Sequence, residues 1–489
     1  MGELRDRPGS IDLGGSEFRQ LGHGVVDALA DLLDAIPARP VTPGRSPDEV
    51  RAALGSGPLP ERGTPPEELL REAFGLLAEH STFSGHPRFW AYIVGAPAPL
   101  GALGDLLAAG VNPNVGGWSL APVATEIEAQ TVRWIAELVR FPSSCGGLLV
   151  SGGNMANFVG FLCARRAAAG PEIRTDGTGP QALRVYGSRE THTWIQKAAD
   201  LFGLGTDSIR WIRTDGDLRL DVDELRGQIA ADRDAGAQPF LVVGAAGTVS
   251  TGAVDPLREI AQLCRDERLW FHVDGAYGAF AAALPDAPDD LRAVAEADSV
   301  ALDPHKWLYV PVEAGCALVR DPQHLLDTFS YRPPYYHLVR ADDRLNYFEY
   351  GPQNSRAFRA LKVWLLLRHQ GREGYVRSLG EDIALARELF RAVEAEPELE
   401  AGTTNLSITT FRYVPGGSAG DDEYLNELNS EICTRLEESG EAYLSNAVVD
   451  GRFYLRACIV NFRTTARDVR ALPGIVRRVG AEAHAGVRG

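Results

Sequence analysis

The sequence predicts an α/β protein: a large domain built on a mainly parallel seven-stranded sheet, an N-terminal helical arm and a C-terminal small α+β domain. Three observations carry this. Seven short apolar runs alternate with amphipathic stretches between about residues 100 and 320, the pattern of strands joined by crossover helices. Three chemically distinct groups, Gly152-Gly153-Asn154, Asp274 and Lys306, each follow such a run, and parallel sheets bind ligands beyond the carboxyl ends of their strands. A length of 489 residues exceeds what one compact core organises and suits one large domain with smaller additions.

In chain order, residues 1–100 read as a helical arm for dimerisation. Leu21, Val25, Leu29, Leu32 and Leu33 recur at helical spacing between Phe18 and Ile36. Pro37 to Pro66 is rich in Pro and Gly and reads as an extended linker lying on another surface. A second helix is expected over Pro66–His80. Residues 101–375 form the large domain, with strands at 148–150, 184–186, 209–212, 240–245, 269–273, 299–302 and 316–319. Ser330 to Gln353 is a long Tyr- and Pro-rich segment, a type that is often functional. A helix with Phe358, Leu361, Trp364 and Leu365 on one face follows. Residues 376–489 form the small domain, with strands near 406–411 and 453–459.

Composition excludes several classes. The formal net charge of −17 offers no footprint for nucleic acid or an anionic membrane. Six scattered cysteines lack metal-ligand spacing and fit buried thiols in a reducing compartment. No apolar run is long enough to span a membrane, and Met1 to Arg7 lacks the apolar core of a signal peptide. The expected location is the cytoplasm, with no metal, nucleic acid or membrane partner.

The chemistry concentrates at two strand ends 32 residues apart. Trp270-Phe271-His272-Val273 ends in Asp274, and Ala301-Leu302 leads into Asp303-Pro304-His305-Lys306-Trp307. A lysine amine and a carboxylate at neighbouring strand ends are what a pyridoxal phosphate site needs: one bonds the cofactor aldehyde, the other keeps a proton on the pyridine nitrogen. A lone Lys is ordinarily a solvated residue and a lone Asp after a strand ordinarily a helix cap; together, in this setting, they point to catalysis. Ala276 is small enough for a ring to lie against the backbone. The turn Ser151-Gly152-Gly153-Asn154 opens a helix whose free N–H groups suit a phosphate. His192 is a candidate for stacking on the ring or for proton transfer. Thr248 is a candidate donor to a ring substituent and Asp255 a candidate orienting group, although turn capping accounts for both as well. Tyr335 and Tyr336 in the long segment are candidate acids. Arg356 and Arg463 are candidates for gripping a carboxylate in bidentate fashion.

Taken together, Gly85-His86-Pro87-Arg88-Phe89, Ser151 to Asn154, His192, His272 to Tyr277, Asp303 to Trp307 and Ser355 to Lys362 resemble the group II pyridoxal-phosphate decarboxylases. That family includes enzymes acting on aromatic amino acids, histidine, glutamate and 2,4-diaminobutyrate. The resemblance runs in order from about residue 65 to 465 and is closest in character to the aromatic-L-amino-acid decarboxylases. It implies the fold type I architecture of pyridoxal-phosphate-dependent transferases and a homodimer with shared active sites. It implies Lys306 as the Schiff-base lysine, Asp274 as the pyridine partner and His192 as the stacking histidine. Gly152, Gly153, Asn154, Thr248, Ala276, Asp303 and His305 complete the cofactor site it implies. Asp303 stands where aromatic decarboxylases usually carry Asn. A loop tyrosine, Tyr335 or by a one-residue shift Tyr336, is implied as the acid contributed by the other subunit, and a tyrosine there goes with simple decarboxylation, whereas Phe goes with aldehyde synthesis. Trp90, Tyr92, Gly116, Trp118, Ser355 and Arg356 are implied around the substrate. Gly116 replaces a bulkier residue of aromatic decarboxylases, and Ser355 resembles enzymes of phenolic substrates. The expected reaction is decarboxylation of an L-amino acid, aromatic in the first instance, to the amine and CO2. The alternatives are a non-aromatic substrate, oxidative deamination to an aldehyde, or a cofactor-binding protein without catalysis.

Overall fold

A computed structural model of the chain describes residues 11–179, 181–332, 344–418 and 420–487. The seven expected strands all form: β1 Gly146–Val150, β2 Leu183–Ser188, β3 Ile209–Ile212, β4 Gln238–Ala245, β5 Trp270–Asp274, β6 Ser299–Leu302 and β7 Gly315–Val319. They make one sheet in the order β1-β7-β6-β5-β4-β2-β3. The pairs β6/β5, β5/β4, β4/β2 and β2/β3 are parallel, and β7 runs antiparallel between β1 and β6. Two antiparallel steps restore direction, so β1 points the same way as β6. The carboxyl ends of β1, β2, β4, β5 and β6 therefore share one edge. Strand interiors such as Leu149, Val242, Val273 and Val300 are buried, as expected of a sheet covered on both faces.

The small domain carries a second, antiparallel sheet. Its strands are β8 Leu399–Asn405, β9 Ile408–Tyr413, β10 Ser445–Val449 and β11 Arg452–Cys458, in the order β10-β11-β9-β8. Two of these, β8 and β10, were absent from the sequence expectation. β8 carries Gly402 amid Thr403, Thr404 and Asn405, and lacks an apolar run. The helix Ala360–Glu394 links the two domains and breaks at Gly371, whose φ of 62° lies in the left-handed region. Its first half packs with Val363 and Leu366 in the main core, its last turns with Leu389 and Val393 in the small-domain core. The boundary expected at 375/376 falls inside this helix.

The arm departs from expectation in one place. Helices form over Gly15–Ala35 and Pro66–His80, but the expected linker contains a third, Pro47–Leu54. Ser46 and Glu49 cap it reciprocally, and Pro47 stands at its start, where no N–H is needed. Proline here initiates a helix instead of preventing one. Among the described residues no helix is long and apolar enough to cross a membrane.

One buried ion pair ties these layers together. Glu128, on the helix Pro122–Leu138, grips the guanidinium of Arg356 and accepts the N–H of Leu149 in β1 at 2.8 Å. Arg356 also donates to the carbonyls of Leu149 at 2.6 Å and Val115 at 2.9 Å, and lies over the ring of Tyr347. Both side chains are sealed from solvent. Replacing Arg356 by Met would strand a buried carboxylate and should destabilise the fold by about 3–5 kcal/mol. Adding Glu128→Gln should recover part of that loss, as read from unfolding midpoints of the single and double variants.

Candidate active site

A cavity of about 320 Å³ opens at the shared edge of the large sheet. Its walls come from five strand ends: Ser151 to Asn154 after β1, His192 after β2, Thr248 after β4, Asp274 and Ala276 at β5, and Asp303, His305 and Lys306 after β6. Every residue expected to bind the cofactor lines this cavity. They are drawn from 155 residues of chain and brought together by parallel strand direction alone.

Lys306 is singled out by elimination as well as by place. The chain has three lysines, Lys197, Lys306 and Lys362. Lys362 is buried against Asp105 at 3.0 Å, and Lys197 lies on an exposed helix face outside the cavity wall. Lys306 reaches into the cavity, its Nζ 3.2 Å from Oδ2 of Asp303. The segment bearing it is latched from behind. Trp307 stacks on Tyr277 at 4.7 Å, and Asp382 accepts from the Trp307 indole at 2.9 Å and the Tyr309 hydroxyl at 2.7 Å. Burial pushes the Asp382 carboxyl up to about 7.

Asp274 is half-buried. Its Oδ2 accepts the Trp194 indole N–H at 2.7 Å and its Oδ1 the Ala276 N–H at 3.3 Å. Two donors fix the orientation of the carboxylate. The His192 ring is exposed at the cavity mouth, with Nδ1 accepting the Trp194 backbone N–H at 3.2 Å. Protein packed around its other sides lowers its pKa, against a smaller opposing pull from Asp274.

The wall fits pyridoxal phosphate in its donor set. An amine, a hydrogen-bonded carboxylate and an imidazole surround one space, and the turn at Gly152-Gly153 opens the 17-residue helix Gly153–Ala169 onto it. A Cβ at Gly153 would lie 2.6 Å from Asp303 Oδ2, so a larger residue there would displace the Asp303 carboxylate. Asp303 is buried, lies between Gly153 and Lys306, and has one oxygen, Oδ1, with no partner. Its carboxylate pairs with Lys306 beside the Gly152-Gly153 turn.

Other expected residues are placed elsewhere. Arg356, expected to hold a substrate carboxylate, is in the buried pair with Glu128, since its donors serve Glu128 and two carbonyls. Trp90 is fully buried in the small-domain core, with its indole on Thr464 at 3.1 Å. Gly116 is buried against the backbone of Asn354. Tyr92 and Ser355 are exposed, and Trp118 is half-buried with its indole on Glu126. None of these six lines the cavity. Asp255 is sealed beneath it, accepting the N–H groups of Ala245 and Leu220, and burial raises it to about 6. Arg463 lies half-buried over Phe462, outside the wall. Tyr335 and Tyr336 lie outside the described residues. Residues that sequence reasoning missed include Ile93, Asn157, Glu190 and Tyr277, all in the wall. Ile93 follows the Gly85–Phe89 motif, Tyr277 closes the His272–Tyr277 motif, Asn157 lies three residues past Asn154 and Glu190 two before His192, so nearness to those motifs was the available signal.

The fold and cavity define a pyridoxal-phosphate enzyme of the α/β type, and comparison with known proteins narrows the class. Residues 47–414 match the family described as the pyridoxal-dependent decarboxylase conserved domain. An aromatic-L-amino-acid decarboxylase of Bacillus atrophaeus is 35% identical over 463 residues, covering 94% of this chain and 95% of that protein. A phenylacetaldehyde synthase of a Rosa hybrid cultivar is 30% identical, covering 91% and 90%. The crystal structure of Oryza sativa TDC with PLP and tryptamine superposes with a TM-score of 0.90 at 28% identity, covering 98% and 99% of the two chains. The chain belongs to the pyridoxal-dependent decarboxylase family. It is a pyridoxal-phosphate-dependent enzyme that decarboxylates an amino acid.

Beneath the wall, fully buried His272 makes a pH prediction. Burial lowers it to about 4. Its folded pKa lies below the unfolded value near 6.5, so its contribution is complete above pH 6.5 and is lost as pH falls toward 4. The loss should reach about 3 kcal/mol. Thermal midpoints measured between pH 7 and 4.5 should fall less steeply in His272→Gln than in the parent.

Proposed function

We propose that this enzyme decarboxylates aromatic L-amino acids to amines, with Lys306 as the cofactor-bonding amine. The observation that carries the reading is the convergence of Lys306, Asp274, His192 and the Ser151–Asn154 turn on one cavity. The aromatic assignment is supported by the 35% identity to an aromatic-L-amino-acid decarboxylase over nearly the whole chain. Bound pyridoxal phosphate supplies an electron sink for the bond to the departing carboxylate.

In this reading Lys306 would hold the cofactor through its amine. Asp274, held by two donors, would partner the ring nitrogen. His192, with Nδ1 occupied by a backbone N–H, offers Nε2 to the cavity and flanks the ring. Gly153, Asn154 and the following helix start receive the phosphate, while Thr248 and His305 close the wall. Tyr335 or Tyr336 delivers the proton that replaces CO2. A second reading, decarboxylation with oxidative deamination by O2, is favoured by the 30% identity to a phenylacetaldehyde synthase; with water consumed it predicts aldehyde, ammonia and hydrogen peroxide where the first predicts amine.

A homodimer is part of the proposal. The helix Gly15–Ala35 has no buried residue, and Leu21, Val25 and Leu29 form an apolar groove with Leu70, Phe74 and Leu77 of the helix Pro66–His80. Leu103, Leu106, Leu107 and Val111 are also exposed along one helix. Apolar surface of this extent marks an association face. Tyr92, Trp118 and Ser355, which do not reach their own cavity, are proposed to act from the partner subunit. Free cysteines throughout the described chain are in keeping with a cytoplasmic location.

Three outcomes test the proposal. Mass spectrometry after mixing the holoenzyme with a panel of L-amino acids should find aromatic amines, and Lys306→Ala should abolish both turnover and the absorbance of lysine-bound cofactor. Amine from non-aromatic substrates alone would overturn the aromatic assignment. Leu106→Glu combined with Leu107→Glu should shift the assembly from dimer to monomer in light scattering, with loss of activity.

A further inference from the structure

Two of the groups flanking the proposed ring position converge on one residue that sequence reasoning passed over. Trp194 begins the helix Trp194–Leu201 and is wholly buried. Its backbone N–H donates to Nδ1 of His192 at 3.2 Å, and its indole N–H donates to Oδ2 of Asp274 at 2.7 Å. The two acceptors are 82 residues apart in the chain and are contributed by different strand ends.

The indole is itself fixed from behind. Its ring meets the edge of His272 at 5.6 Å and of Phe161 at 6.4 Å. His272 is held at both nitrogens, by Asn157 Oδ1 at 2.7 Å and by Ser299 Oγ at 2.7 Å. With Asn157 presenting an acceptor, Nε2 of His272 carries the proton and Nδ1 accepts the Ser299 hydroxyl. The oxygen of that hydroxyl accepts the Trp270 indole at 2.8 Å. With neutral His272, both ring nitrogens and the Ser299 hydroxyl are paired. The packing is tight as well: a Cβ at Gly160 would lie 2.6 Å from Nδ1 of His272.

We propose that Trp194 is a positioning residue that clamps His192 and Asp274 in register for the cofactor ring, and that the His272–Asn157–Ser299 set holds the clamp. This rests on the reading of Asp274 as the ring-nitrogen partner. An indole N–H on one carboxylate oxygen leaves the other lone pairs directed by the backbone, so Asp274 meets the ring preoriented. Preorganised partners bind more tightly because less freedom is lost on association.

The test is titration of the cofactor-free protein with pyridoxal phosphate, read by dissociation constant and by the visible circular dichroism of the bound cofactor. Trp194→Phe keeps most of the ring volume and removes the indole donor. Phe161→Leu loosens the same core without touching that donor and controls for packing. Asp274→Asn tests the underlying reading. Trp194→Phe should weaken cofactor binding about tenfold, the factor that about 1.4 kcal/mol represents, and should diminish the dichroic band. Phe161→Leu should lower the thermal midpoint but leave affinity and band close to the parent. If Asp274→Asn weakens binding while Trp194→Phe merely matches Phe161→Leu, the clamp is overturned and the Asp274 reading stands. If Asp274→Asn binds like the parent, the Asp274 reading fails and the clamp fails with it.

Discussion

Strand direction is the constraint on which the rest depends. Because β2, β4, β5 and β6 run parallel, and β1 is returned to the same sense through antiparallel β7, their carboxyl ends emerge on one edge. Groups as distant in sequence as Gly152 and Lys306 then line one cavity without any long-range contact chosen for that purpose. Register refines the placement: Asp274 is paired with Ala245 on one side and Ala301 on the other. A one-residue slip would turn its carboxylate to the other face of the sheet.

Around that edge the protein stabilises its polar groups by giving each a fixed partner. Asp274 has Trp194 and Ala276, His192 has a backbone N–H, and the Lys306 segment is latched through Trp307 and Tyr309 to Asp382. Deeper in, Arg356 and Glu128 neutralise each other where a lone charge would be intolerable. Asp303 and Glu190 are exceptions, each with one carboxylate oxygen unpartnered beside the cavity. Both are acceptors in the wall still open to a ligand.

Much of this was legible in the sequence because the strands are short and apolar and each ends in a distinct chemical group. The seven strands of the main sheet and the cofactor wall follow from that pattern. What failed had a physical cause in each case. Strand β8 has a polar, Gly-containing sequence and is held by its pairing with β9. Pro47 marked a helix start, not a linker. An exposed substrate-binding Arg and a buried structural Arg look alike in one dimension, and only the position of Glu128 separates them. Trp194 could not be read, because its importance lies in two acceptors supplied by other parts of the fold.

The most direct test of the central claim uses the scarcity of lysine in this chain. Reduction of the holoenzyme with borohydride fixes the cofactor to whichever amine bears it, and peptide mass mapping then locates the adduct. With three lysines available, the predicted result is a single modified peptide carrying Lys306. An adduct on Lys197 or Lys362, or stoichiometric cofactor with no lysine modified, would contradict the assignment of the cavity as the catalytic centre.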